Sequence, residues 1–212
     1  FGQLVLAAFR GHESETIAVH AEAVAEASTR GNGAEVALAN VALAVLHNGL
    51  CNYALALDAA ERACMSLEPP HTNLALLELA EAAIRADQPE RAVPALVQLT
   101  SRADASGTAW ALGLAACGQA LSSTGPAAEA RYREAIERLN SCRMTVYLAR
   151  AHLLYGEWLR REGRRHDARE QLRTAHEMLL DMGYEAFAAR AARELQATGE
   201  HLAALAAGSG AH

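Results

Sequence analysis

The chain has 212 residues, 51% of them apolar but only 5% aromatic, and a formal net charge of −6. About a quarter of the residues are Ala and all nineteen basic residues are Arg, with no Lys. That balance excludes a general nucleic-acid-binding surface, which needs a basic face against the phosphates, and the weight of Ala and Leu favours helices over strands.

In chain order, Leu4 to Arg10 reads as the tail of a helix ended by Gly11. Glu13 to Thr29 carries Ile17, Ala21, Val24 and Ala27 at helical spacing and closes at Gly31-Asn32-Gly33, so residues 1–33 form a degenerate opening pair. Glu35 to His47 and Tyr53 to Leu67 make the first clear pair, closed by Glu68-Pro69-Pro70. Asn73 to Ala86 and Pro89 to Ala103 make the second. Pro89 suits a first helical position, whereas Pro94 predicts a late start or a slight kink. Thr108 to Ser122 pairs with Ala127 to Leu139, and Val146 to Glu162 pairs with His166 to Met182, with Gly163 and Gly183 as stops. Tyr184 to Ala197 is a lone terminal helix expected to cover the open end of the stack. Residues 199–212 lose their turn signals and read as a flexible tail, in part of non-native origin at Gly208-Ser209-Gly210.

A phrase recurs through these pairs: a small residue followed at +4 and +7 by apolar ones. It occurs at Ala56-Ala60-Ala63, Ala92-Leu96-Leu99, Ala128-Tyr132-Ala135 and Ala168-Leu172-Ala175, with anchors 36, 36 and 40 residues apart. Twelve residues before each anchor stands Ala44, Ala80, Ala116 or Gly156, where a helix must approach its partner closely. Self-similarity at this period indicates stacked helical hairpins. The expected fold is all-α, with four repeats at about 34–69, 70–106, 107–142 and 143–182 and a capping helix at 183–198.

Gly156, Ala168 and Ala175, with Leu159 and Leu172, sit where the tetratricopeptide repeat places its small and large packing residues. The segment Ala149-Arg150-Ala151-His152-Leu153-Leu154-Tyr155-Gly156-Glu157-Trp158-Leu159-Arg160-Arg161, followed by Asp167 to Arg173 and Ala197-Thr198-Gly199-Glu200, resembles the end of the helical-repeat region in large ATP-binding LuxR-family transcriptional regulators of actinobacteria. Tyr132 to Leu139, and Asn48-Gly49-Leu50 before Tyr53, look similar to the same family. The resemblance implies a right-handed α-solenoid of four to five hairpins plus a terminal helix. It also implies a cytoplasmic sensor segment between an NTPase module and a DNA-binding helix-turn-helix. This chain has no GxxxxGK[ST] loop. Its first residue is Phe1, as expected of a fragment of something longer.

No catalytic motif emerges. There is no HExxH pair, and His166 and His176 are ten residues apart, so neither a metal nor a cofactor is expected. His152 and His176 read as structural, Cys64 and Ser66 lack a neighbouring base, and Cys51, Cys64, Cys117 and Cys142 read as buried, reduced thiols. Glu78 and Glu81, like Glu134 and Glu137, are spaced i, i+3 as on solvated faces. No apolar run approaches the roughly 20 residues of a membrane span, and no leader is evident.

Stacked hairpins curve, so the first helices of the pairs are expected to line a concave groove. Its inward positions include Val41, Val45, Leu77 and Cys117, with Asn48, Glu81, Arg85, Trp110, Arg150, Glu157 and Arg160 as the recognition set. In that set Trp110 is a flat anchor and the charged groups read polar atoms of a ligand. Arg161, Arg164, Arg165, Arg169 and Arg173, interleaved with Glu162, Asp167 and Glu170, form either a solvated face or a docking patch for an acidic partner. The expected function is therefore a non-catalytic sensor or scaffold that binds an effector or a protein partner. A constitutive self-association module, working as a homo-oligomer, is the alternative.

Overall fold

The computed structural model describes residues 2–65 and 69–200, and among them every regular element is an α-helix. In order these are α1 (Gly2–Arg10), α2 (Glu13–Thr29), α3 (Gly33–Gly49), α4 (Tyr53–Cys64), α5 (Pro69–Arg85) and α6 (Pro89–Ser106). There follow α7 (Ala109–Ser122), α8 (Gly125–Ser141), α9 (Thr145–Arg161), α10 (Arg165–Asp181) and α11 (Glu185–Ala197). The boundaries lie close to those read from turn residues, with two differences. Helix α5 begins at Pro69, so Pro69 and Pro70 open a helix rather than separate two, a place where a missing N–H costs nothing. Helix α6 already begins at Pro89 and contains Pro94, so the late start expected of that proline does not occur. The proposed end of α4 at Leu67, Glu68 as a stop and the tail from residue 201 lie outside the described residues.

Each even-numbered helix folds back on the odd-numbered one before it. The periodic phrase supplies the packing. Ala56, Ala60, Ala63, Ala92, Leu99, Ala128, Tyr132, Ala135, Ala168, Leu172 and Ala175 are all buried, and Leu96 is partly so. At Gly156 the approach is closest, for a Cβ there would stand 2.6 Å from Cγ of Leu172. Gly163 and Gly183 take φ of 78° and 70°, the left-handed turn conformation expected of them.

Odd-numbered helices α1, α3, α5, α7, α9 and α11 pack side by side on the inner side, and α11 then touches α1 and α3. The terminal helix thus does more than cover an open end: it joins the last pair to the first. Phe9 stacks on Tyr184 at 4.5 Å between ring centroids and lies 6.1 Å from Phe187. A Cβ at Gly11 would meet that of Ala186 at 2.7 Å.

Candidate functional site: a buried charge network at the centre

Closing the row of inner helices brings their polar residues face to face. Helix α5 contributes Glu78, Glu81 and Arg85, α9 contributes Arg150 and Glu157, α11 contributes Arg190, and α3 contributes Asn48. All but Arg85 are buried, and Arg85 is only 14% exposed along its side chain. Arg150 donates through Nη1 to Glu78 Oε1, and through Nη2 to Glu78 Oε2 at 3.0 Å and Glu81 Oε2 at 2.7 Å. Arg190 donates to both oxygens of Glu157, at 2.6 and 2.9 Å, and to Glu81 Oε1 at 2.6 Å. Arg85 reaches Glu157 Oε2 from the other side. Asn48 donates through Nδ2 to Glu78 Oε2 at 2.8 Å.

Three carboxylates face three guanidinium groups, so the interior carries no formal net charge. Burial alone would raise the carboxyl of Glu81, but attraction from Arg190, Arg150 and Arg85 overcomes it and holds the group down at about 2. Glu157 is likewise held below the usual carboxylate range, burial being outweighed by Arg190 and Arg85. Aromatic faces complete the surroundings: the Arg150 guanidinium lies 4.9 Å from the Phe187 centroid and that of Arg190 lies 5.7 Å from Tyr53.

The polar residues expected to line a groove are thus brought together, but as one another's partners. Asn48, Glu81, Arg85, Arg150 and Glu157 close on themselves instead of standing open to a ligand, because α11 completes the inner row. Arg160 lies apart, paired with Glu194. Trp110 also lies apart, in a cavity beside Tyr147, with 6.4 Å between ring centroids. Val41, Val45, Leu77 and Cys117 are core residues. Glu78 and Glu81 reverse the solvated-face expectation, being 1% and 0% exposed. Their neighbours Leu76, Leu77, Leu79, Ala80, Ala82 and Ala83 were the available signal, since carboxylates inside so apolar a run need buried cations. Arg190, a lone charge in Phe187-Ala188-Ala189-Arg190-Ala191-Ala192, carried the matching signal and was missed.

The arginine cluster on α9 and α10 separates into local pairs. Arg164 bonds Asp167 and Glu129, while Arg169 donates to the Thr198 carbonyl at 2.6 Å and Arg173 to Glu200 at 2.6 and 2.7 Å. Arg161 lies within electrostatic reach of the Glu157 and Glu194 carboxylates. Cys117 is buried, whereas Cys51, Cys64 and Cys142 are only partly so, short of the burial expected for all four. Trp158 packs against Tyr132 and Tyr155. Among the described residues no group of three or more His, Cys, Asp or Glu side chains is placed to hold a metal, and no helix is long and apolar enough to cross a membrane. Comparison with known families, curated proteins and solved structures finds no significant match.

Proposed function

We propose that an all-helical chain in which a neutral, buried network ties α11 to α3, α5 and α9 acts as a non-catalytic tetratricopeptide-like module, the sensor or scaffold segment of a cytoplasmic, multidomain LuxR-type regulator. The observation that supports this reading is the reach of Arg190, which binds groups on α3, α5 and α9 at once. Opening the inner row would separate buried charges, so closed and open arrangements are discrete alternatives. An effector, a protein partner or a neighbouring NTPase or helix-turn-helix module acts by unequal affinity for the two. With its centre filled, the module meets partners at its edges and outer faces. The net charge of −6 leaves operator contact to another module.

The test begins with the gene around this chain, which should encode a phosphate-binding loop upstream and a helix-turn-helix downstream. In the intact gene product, ATP and operator affinities should change in Arg190→Met and in Phe9→Ala, which removes the α1 side of the ring contacts with Tyr184 and Phe187. Unchanged affinities in both well-folded variants remove the sensing role. A second reading, self-association, draws support from Val93 and Val97, one turn apart on α6 and 56% and 64% exposed. Sedimentation that stays monomeric across concentration, and is unmoved by Val97→Glu, argues against it.

A further inference from the structure

The outer helices differ in what they show to solvent. On α4 Arg62 pairs with Asp58, and on α8 Glu134 is held between Arg131 and Arg138. On α6 both arginines turn aside instead, Arg91 to Glu61 of α4 and Arg102 to Asn73 of α5. Between Glu90 and Asp104 the outward face of α6 runs through Val93, Pro94, Val97 and Ser101, all exposed, Val93 by 56% and Val97 by 64%. Leu96, Val97, Thr100, Ser101 and Asp104 line a shallow hollow of about 510 Å³ on it. Val93 and Val97 are β-branched, and in a helix each gives up side-chain freedom that a straight-chain residue would keep. Their exposure leaves that loss without packing in return. Both ends of the stripe call for a cation. Pro94 has no N–H to give to the carbonyl of Glu90, which leaves that acceptor without its helical donor, and the Glu90 side chain is exposed. At the other end, the last turn of α6 holds no basic residue, and exposed Asp104 stands among carbonyls that carry the negative end of the helix dipole.

We propose that this face docks an amphipathic helix of a protein partner, with an apolar seam against Val93 and Val97 and a basic residue at each end, opposite Glu90 and Asp104. The two carboxylates are fourteen residues apart, about 21 Å along the axis, which sets the spacing of the partner's basic groups. A second copy is a poor fit. An antiparallel α6 pair centred on Val97 sets Glu90 against Asp104, and a parallel pair sets each carboxylate against itself, so like charges meet in either orientation. This docking rests on the reading in which a protein partner meets the module at its outer faces.

The probe is a synthetic amphipathic helix of about five turns, with a leucine seam and arginines about fourteen residues apart at its ends; the control carries glutamates there. Fluorescence anisotropy at low salt should show saturable binding of the arginine-ended helix to the full chain, and about tenfold weaker binding of the control. Val97→Glu, at an exposed site, should abolish binding while leaving the circular dichroism and melting temperature unchanged. Glu90→Arg combined with Asp104→Arg should reverse the preference toward the glutamate-ended control. Absence of saturable binding in the unaltered chain overturns the docking site, as do equal affinities for the two helices or undiminished binding by Val97→Glu. So does a concentration-dependent dimer that Val97→Glu dissolves, which would make the occupant a second copy. Each of these leaves the ATP and operator affinities of the intact gene product to decide the sensing role separately.

Discussion

Arg190 in α11 donates to the carbonyl oxygen of Asn48 at the end of α3, 3.0 Å away and 142 residues earlier in the chain. That carbonyl, in the last turn of α3, also accepts from the Cys51 amide at 3.2 Å, so Arg190 adds a second donor to it. One guanidinium therefore binds a helix end and two carboxylates together. It bonds the last helix of the inner row back to α3, near the row's start.

Arg190→Met should destabilise the protein by about 3–5 kcal/mol, the usual cost of stranding a buried charge. Urea unfolding measures it. Because Glu157 shares the network, Arg190→Met combined with Glu157→Gln should cost less than the sum of the separate changes. Strict additivity would show that the two groups are not coupled.

Stability should fall in acid in two stages. The imidazoles of His47 and His152 are pushed down by burial, so the unfolded chain takes up protons first and stability begins to drop as pH falls below about 6.5. The carboxyl of Glu81 binds its proton at about 2 when folded and near 4.5 when unfolded. Its contribution is complete above about 4.5 and is lost progressively toward 2. Thermal melting between pH 7 and pH 2 should show both stages, and Glu81→Gln should flatten the lower one.

Gly156→Ala should cost about 1–3 kcal/mol by overpacking, because the new methyl meets the Leu172 side chain and lies 3.2 Å from its backbone nitrogen. Gly33→Ala, where nothing lies within 4 Å, is the contrast. There Ala should be neutral or stabilising by up to about 1 kcal/mol, since Gly is a poor helix residue. Paired denaturation curves distinguish the two sites, and equal effects would contradict the close approach of α9 and α10.

Cys117 should resist thiol reagents until the protein unfolds, because burial pushes its thiol up to about 12 and encloses it. Cys51 and Cys142, partly exposed, should react first. Mass spectrometry after brief alkylation at pH 8 orders them. Early labelling of Cys117 would show that the inner row opens readily.

Helix order and pairing were legible because the responsible signals are local. Gly, Pro and Asn punctuate the chain, and the small-residue phrase marks one face of each helix. Gly156 was readable as a close contact for the same reason. Pro69 was misread because a proline pair signals both an end and a beginning, and only the backbone that follows decides between them. Glu78, Glu81 and Arg190 were harder, since i, i+3 carboxylates look alike whether water or a guanidinium faces them.

What the sequence by itself determined is the α-helical hairpin and its repetition, which follow from propensity, periodicity and turn chemistry acting over about forty residues. Whether the inner face stays open depends on how small rotations between successive pairs accumulate. No local pattern encodes that sum. The tertiary structure decided it by bringing α11 against α1 and α3, which turned polar residues suited to a groove into a closed network. The physical reason is pairing at long range: a buried charge takes its meaning from the group opposite it, here as many as 142 residues away.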